Sequence, residues 1–557
     1  MRSNYTFLKC QASKLERYII HYTFAIAAMM ALLACSSRPS AIPETFVELT
    51  DSATVYPDYR DVTIPPNIAP LNFMVMDSAA SEFVAEVGGI VCGANEDGKF
   101  DIDTTAWRQL LADSKGKEVR VNVYAHRVNG WVRQPAFSFQ VAEEEIDPYV
   151  TYRLIEPGYE VYFQLGIYQR NLTNFDVTTL YENERTDHTR SHCINCHQFQ
   201  NYDTQRMYLH VRENNKGTVI THGTEAHKML IRHDSIVASG AYGGWHPTLP
   251  IIAFSSNKTA QVFHYHYNEK IEVYDAESDI ILYDADRNEV RNIIRTPDYF
   301  ETFPYWSADG TRLYYCSARV PKFESTNFEA SLVLRFDSLH YDIYSMPFDT
   351  VTYTFGEPRL EVNASAQGLS ASVPRPSPDG RYLLFALARY GQFHLYHKES
   401  DLWVKDLRPT PAPSREGEES SGSSEGDRTP LFNGSGLGEG LYPLTATNSP
   451  EVESYSCWSS NGRWVVFSTR RDDGDFTRTY IAYFDAQGQG HRAFILPQRD
   501  PEYNLLLLKS YNVPELTRTA IPITQEQMNH VIRHTESELA TYIDEASPQN
   551  AESGDKK

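Results

Sequence analysis

Trp306-Ser-Ala-Asp-Gly-Thr-Arg-Leu-Tyr-Tyr315 sets a tight Asp-Gly turn directly before an apolar strand. The skeleton returns as Pro376-Ser-Pro-Asp-Gly-Arg-Tyr-Leu-Leu-Phe385 and as Trp458-Ser-Ser-Asn-Gly-Arg-Trp-Val-Val-Phe467. A fourth copy, Trp245-His-Pro-Thr-Leu-Pro-Ile-Ile-Ala-Phe254, lacks the Gly turn. Each copy is followed by a second strand signal, at 280–286, 341–346, 401–406 and 480–485. A repeated small sheet cannot bury both faces alone, and closing the repeats into a ring solves this. The anchors lie 61, 70 and 82 residues apart, longer than the ~40–45 of WD-type blades. Residues 408–440, rich in Ser, Gly, Glu and Pro, have the composition of a disordered insertion.

These turns and strands, over roughly residues 240–497, resemble the TolB-like β-propeller. The resemblance implies about six blades. Met207–Arg212, Thr218–Thr221 and His227–Arg232 read as strands of a blade before the first anchor. The alternative is an open sandwich or two smaller β-domains. Upstream, from about Val62 to Arg170, period-2 runs such as Glu118–Tyr124 alternate with turn signals such as Asn129-Gly130. Only Thr105–Ser114 looks helical there.

The fold expected is all-β: a β-sandwich-like domain, then a propeller, then a short C-terminal helix within 524–543. The boundaries are 1–34 leader, 35–61 tether, 62–180 sandwich-like domain, 181–205 motif segment, 206–510 propeller and 511–557 tail with the helix.

The chain of 557 residues carries 51 Lys and Arg against 73 Asp and Glu, a net charge of −22. That balance argues against nucleic-acid binding, which needs a basic footprint. Mean hydropathy is −0.47, and a single apolar run near the start excludes a multi-span membrane protein. Seven cysteines are too few for a disulfide-dense scaffold.

Arg2, Lys9, Lys14 and Arg17 precede an apolar run from Ile19 to Ala34, which ends in Leu32-Leu33-Ala34-Cys35-Ser36. This looks like a bacterial lipoprotein signal. The resemblance implies cleavage before Cys35, lipid on its sulfur and residence in the cell envelope, with the lipid as membrane anchor. A non-cleaved anchor or a core helix is the alternative. Loss of residues 1–34 takes the net charge to −25, so anchoring falls to lipid rather than to a basic patch.

Ser191-His192-Cys193-Ile194-Asn195-Cys196-His197 contains C-x-x-C-H, the c-type haem attachment pattern. Two thiols at this spacing add to the two vinyl groups of one porphyrin, and the adjacent His reaches the iron. The motif arises by chance about 0.003 times in a chain of this composition. A zinc half-site, a redox or structural disulfide and a relict motif are the other readings. One motif means one covalent haem c, held by Cys193, Cys196 and His197.

His246 is the first candidate for a second iron ligand, because the other repeats place Ser307, Ser377 and Ser459 there. His210, on a strand candidate, is the runner-up. Met207, His222, His227, His264 and His266 follow. With no second ligand the iron is open to small molecules. Cys92, Cys316 and Cys457 read as thiols without a role. No hydrolase elbow or nucleotide motif is present, so catalysis is left open.

The combination resembles exported Bacteroidetes lipoproteins with TolB-like repeats and a cytochrome c motif. It implies a lipid-anchored, periplasm-facing monohaem protein that meets an envelope or redox partner, for electron transfer or haem-based sensing. A haem-free propeller adaptor and a haem enzyme with an open iron site are the rivals.

Overall fold

A computed structural model describes residues 41–51, 54–156, 165–183, 192–263, 271–323, 327–408 and 437–544. The leader, Cys35, the insertion from 409 to 436, His264 and His266 lie outside the described residues. The chain forms two units.

The smaller unit comprises the described residues up to 56, together with 72–102 and 120–137. Its sheet centres on Ala80–Val87, which pairs antiparallel with Ile90–Gly93 and with the strand running to Arg127. Gly130–Arg133 and Val47–Glu48 extend the sheet. Thr54–Tyr56 and Met74–Met76 form a separate two-stranded ribbon.

The larger unit contains a six-bladed propeller. Blades 1 to 5 follow the chain, with inner strands Ile194–Gln200, Ala241–Trp245, Tyr299–Trp306, Ser370–Pro376 and Glu453–Trp458. Blade 6 is composite. Tyr149–Ile155, Leu165–Asn171 and Val177–Glu182 supply three strands, and Ser510–Thr517 returns from the C-terminal end as the inner one. Residues 149–182 therefore belong to the propeller rather than to the expected domain ending at 180. The motif segment is an inner strand, not a connector. Residues 510–517 close the ring and are not part of a tail.

The repeat turns explain their own sequence. Ser307 Oγ donates to Asp309 Oδ1 at 2.6 Å and accepts the Arg312 N–H at 3.0 Å. Gly310 takes φ 71° there, a conformation that costs glycine nothing. The anchor tryptophans tie neighbouring blades. Trp306 Nε1 donates to the Gly244 carbonyl and Trp458 Nε1 to that of Arg375, both at 2.9 Å.

The helix Thr104–Asp113 matches expectation and is capped by Asp103, whose carboxylate accepts the Ala106 N–H at 2.8 Å. The C-terminal helix is shorter than expected, Gln525–His534, with a Thr524/Gln527 capping box. Its Met528, Val531 and Ile532 pack with Leu165 and Leu180 of blade 6 and Phe199 and Met207 of blade 1. The chain then adds Glu538–Leu539 to blade 1 and Thr541–Tyr542 to blade 2 as parallel edge strands. No helix among the described residues is long and apolar enough to cross a membrane.

Burial in the blades sets a pH dependence. It raises Glu301 to about 8, Glu453 to about 7, and Asp275 and Asp279 to about 6. These carboxyls bind protons on folding, so their contribution is full below the ordinary carboxyl range and is lost as pH rises through about 6 to 8. Burial also lowers His246 to about 4, and His210 and His394 to about 3. Those rings fold neutral, so they oppose stability as pH falls below the ordinary imidazole value. Each proton is worth about 1.4 kcal/mol per pH unit. Thermal melts are expected to peak at mildly acidic pH, about 5, and to fall steadily from pH 6 to 8. A melting temperature that rises over pH 6 to 8 would contradict this.

Candidate functional site: the bulged central cavity

All six inner strands break register at the same level. The breaks lie at Ile194/His197, Ala241/Gly244, Thr302/Tyr305, Ser372/Arg375 and Ser454/Cys457, with Thr151/Arg153 marking the one against the blade 6 inner strand. Such bulges bend a strand and re-aim its side chains. Tyr242, Phe303, Val373, Tyr455 and Val513 hold φ between 45° and 53° at these places. Bulky residues rarely accept that conformation, and such strain clusters at functional sites. Four of the five, all but Val373, line a cavity of about 460 Å³, within the range of small-molecule sites.

The C-x-x-C-H motif occupies the bulge of blade 1. Cys193, Cys196 and His197 are buried and all three border this cavity. Both cysteines are free thiols. Burial raises the Cys193 thiol. Cys196 Sγ accepts the Tyr242 N–H at 3.3 Å. Arg153 of blade 6 donates to the Ile194 carbonyl at 2.9 Å and so holds the motif backbone.

His197 has one ring nitrogen hydrogen-bonded to the Thr151 backbone, while its buried Nε2 has no hydrogen-bond partner. Burial first, and then the charge of Arg153, lower this imidazole to about 3. Glu515 of the closing strand lies opposite, with Oε2 3.9 Å from Nε2. Its Oε1 accepts the Phe199 N–H at 2.9 Å, and Oε2 has no hydrogen-bond partner. Burial raises this carboxyl to about 8. The two groups have the spacing of an ion pair, but burial disfavours the charged form of each.

The residue types, two thiols and one imidazole, are those that would hold a c-type haem. Two free thiols at the attachment spacing border one cavity with an imidazole whose outward nitrogen is unused and whose other nitrogen is oriented by backbone, the usual arrangement for a metal-ligating histidine.

Neither proposed second ligand joins the site. His246 does not border the cavity. Its Nδ1 accepts the Thr248 and Leu249 N–H groups at 3.2 and 3.0 Å, and Nε2 donates to the Gly310 carbonyl at 3.0 Å. It replaces the serine cap of the other repeats and ties blade 2 to blade 3. His210 lies on the second strand of blade 1 and meets Thr218 Oγ1 through Nδ1 at 2.9 Å, also away from the cavity. Met207 is in the core, and His222 and His227 border a separate cleft between blades 1 and 2. A His246→Ser protein is expected to lose about 1–3 kcal/mol of stability, the cost of a buried large-to-small change. Calorimetry checks this.

Sequence reasoning missed Cys457, whose buried thiol borders the same cavity and is pushed up to about 12 by burial. It also missed Arg153, Arg212, Arg375 and Glu515. The neighbour of the repeat anchor, Cys457 before Trp458, was the one available signal. Cys316 is buried in the core of blades 3 and 4, and Cys92 is half-buried in the smaller unit.

No family model and no curated protein matches the chain. Solved structures with similarity include TolB from Acinetobacter baumannii, 12% identical, covering 71% of this chain and 79% of that one at a TM-score of 0.38. The β-propeller domain of the Trilobed protease from Pyrococcus furiosus is 10% identical, with coverage of 77% and 98% and a TM-score of 0.31. Kuenenia stuttgartiensis hydrazine synthase is 9% identical, with coverage of 64% and 48% and a TM-score of 0.36.

Proposed function

We propose that this chain is an envelope-facing propeller whose central cavity is its working site, and that the cavity holds one covalent haem c. The observation that carries the reading is the convergence of Cys193, Cys196 and the unpartnered Nε2 of His197 on one cavity. Cys193 and Cys196 would hold the porphyrin by thioether bonds, and His197 would ligate the iron. Haem, when bound, supplies one-electron or small-ligand chemistry. The protein's part is to orient the imidazole through the Thr151 backbone and to shield the site with the aromatic bulge residues.

The platform reading, a haem-free propeller that docks an envelope partner, has its own support. Arg153 and the Tyr242 N–H already hold the motif segment without any added group. Expression with haem c maturation machinery separates the two. A covalent Soret band, a pyridine haemochrome and a one-haem mass increase are expected. Replacing Cys193 and Cys196 by Ala is expected to abolish all three while the fold persists. A folded wild-type protein without haem after such expression would favour the adaptor. Membrane attachment through Cys35 is part of the proposal, and Cys35→Ala is expected to release the protein into the soluble envelope fraction.

A further inference from the structure

We propose that the central cavity binds a small hydroxylated organic acid, its carboxylate held by Arg212 and Arg375 and a hydroxyl held by Nε2 of His197. This rests on the reading of the cavity as the working site, and not on the haem.

The charge of the cavity runs against that of the chain. The protein as a whole carries a net charge of −22. Among the described residues, however, Arg153, Arg212 and Arg375 line the cavity against two carboxyls, Glu213 and Glu515. The lining is therefore positive even with both carboxyls ionised. Glu213 is exposed, and burial disfavours the charged form of Glu515, so the interior is more positive still.

The arginines come from three blades. Arg153 belongs to blade 6, Arg212 follows the Asp203–Val211 strand of blade 1, and Arg375 lies on the inner strand of blade 4. Arg153 holds the Ile194 carbonyl. Among the described residues neither Arg212 nor Arg375 forms an ion pair. Arg212 is bonded to the Tyr242 side chain. Arg375 donates through Nη1 to the Pro374 carbonyl at 2.9 Å and lies over the Tyr305 ring, 4.3 Å from its centre. A guanidinium has more N–H groups than these bonds use. Two half-buried cations without a carboxylate are completed by a bound oxyanion.

His197 supplies the complementary acceptor. The Thr151 hydrogen bond favours the protonated ring, so the imidazole donates it, and Nε2 of the neutral ring presents a lone pair. That buried nitrogen has no hydrogen-bond partner. An acceptor left so placed costs free energy, which a ligand hydroxyl recovers. Tyr242, Phe303 and Tyr455, held on the strained bulges, give the body of the ligand aromatic walls.

Calorimetric titration of the haem-free full chain, expressed without maturation machinery, tests the site whatever the fate of the haem. The probes are para-hydroxybenzoate and gluconate, an aromatic and a sugar source of the same chemistry. Their uncharged counterparts are para-hydroxybenzamide and glucose, and benzoate and hexanoate lack the hydroxyls. At least one hydroxy acid is expected to bind with a Kd below about 1 mM, and the one that does identifies the source. Its uncharged counterpart is expected to bind at least about tenfold more weakly, and the acid without hydroxyls measurably more weakly. Arg212→Gln and Arg375→Gln are each expected to weaken binding at least about tenfold. Arg206→Gln, in the separate cleft, is expected to leave it unchanged. No binding of either hydroxy acid, or equal binding of an acid and its uncharged counterpart, would overturn the assignment. Both results come from wild type and stay decisive if a variant misfolds. Haem uptake is scored separately by the pyridine haemochrome. A chain that never takes up haem yet binds the acid defeats the haem reading and leaves this inference standing. A chain that takes up haem, but whose haem-free form binds neither acid, does the reverse.

Discussion

A chain ended at Lys509 is expected to yield no folded propeller, with loss of the cooperative melt and rapid proteolysis. The missing strand, Ser510–Thr517, pairs with Tyr149–Ile155 from register Tyr149–Thr517 to Ile155–Ser510. It brings Tyr511, Leu516 and Thr517, all buried, to the inner position of blade 6. Without it the ring opens between blades 5 and 6, and two inner edges lose their neighbour. Open edges and exposed apolar faces are aggregation sites. The truncation also removes Ile523, Met528, Val531 and Ile532 from the core they share with blades 1 and 6. The milder Leu516→Ala change isolates the strand, and its expected cost is about 2–5 kcal/mol. Circular dichroism melts and limited proteolysis check both. A truncated chain that melts cooperatively near the wild-type temperature would show that the composite blade does not hold the ring.

That strand also marks where sequence reading stopped. Ser510–Thr517 contains Pro514, and proline inside a run argues against a strand. The strand tolerates it beside the bulge at Val513, where the ladder is already broken. Its partner lies over three hundred residues upstream, and no local pattern announces such a pairing. The Asp-Gly and Asn-Gly turns were legible because only a few residues accept positive φ there. The bulges were not, because tyrosine, phenylalanine and valine at positive φ contradict local propensity. The motif at Cys193–His197 was legible as a pattern of clustered thiols and imidazole, and its three residues do border one cavity. Its place on an inner strand was not. His246 was correctly singled out as the odd member of the repeat, but an imidazole that accepts two backbone N–H groups serves the serine's purpose. Glu515 has no neighbouring motif at all, and only ring closure brings it to His197.

Arg471→Met is expected to cost about 3–5 kcal/mol at pH 8. Arg471 donates to Glu453 Oε1 at 2.8 Å and to the Thr447 carbonyl at 2.9 Å. Its guanidinium lies 4.6 Å from the Tyr480 ring centre. Glu453 is wholly buried, and burial holds its carboxyl at about 7 even with Arg471 beside it. Removing the arginine leaves a buried carboxylate with only Ser449 and Thr469 as side-chain partners. The carboxyl then climbs further and is neutral well above pH 7. Protonation spares the protein an unpaired buried charge, so the loss is expected to shrink markedly between pH 8 and pH 5. Glu453→Gln removes the charge instead, and its cost is expected to be smaller, because the Arg471 side chain keeps some solvent contact and its Thr447 bond. The double variant Glu453→Gln with Arg471→Met is then expected to be more stable than Arg471→Met alone at pH 8. Denaturant unfolding of the four proteins at both pH values gives the complete cycle. A loss from Arg471→Met that is the same at pH 5 and pH 8, with no recovery in the double variant, would mean that its packing on Tyr480 rather than its pairing with Glu453 carries the effect.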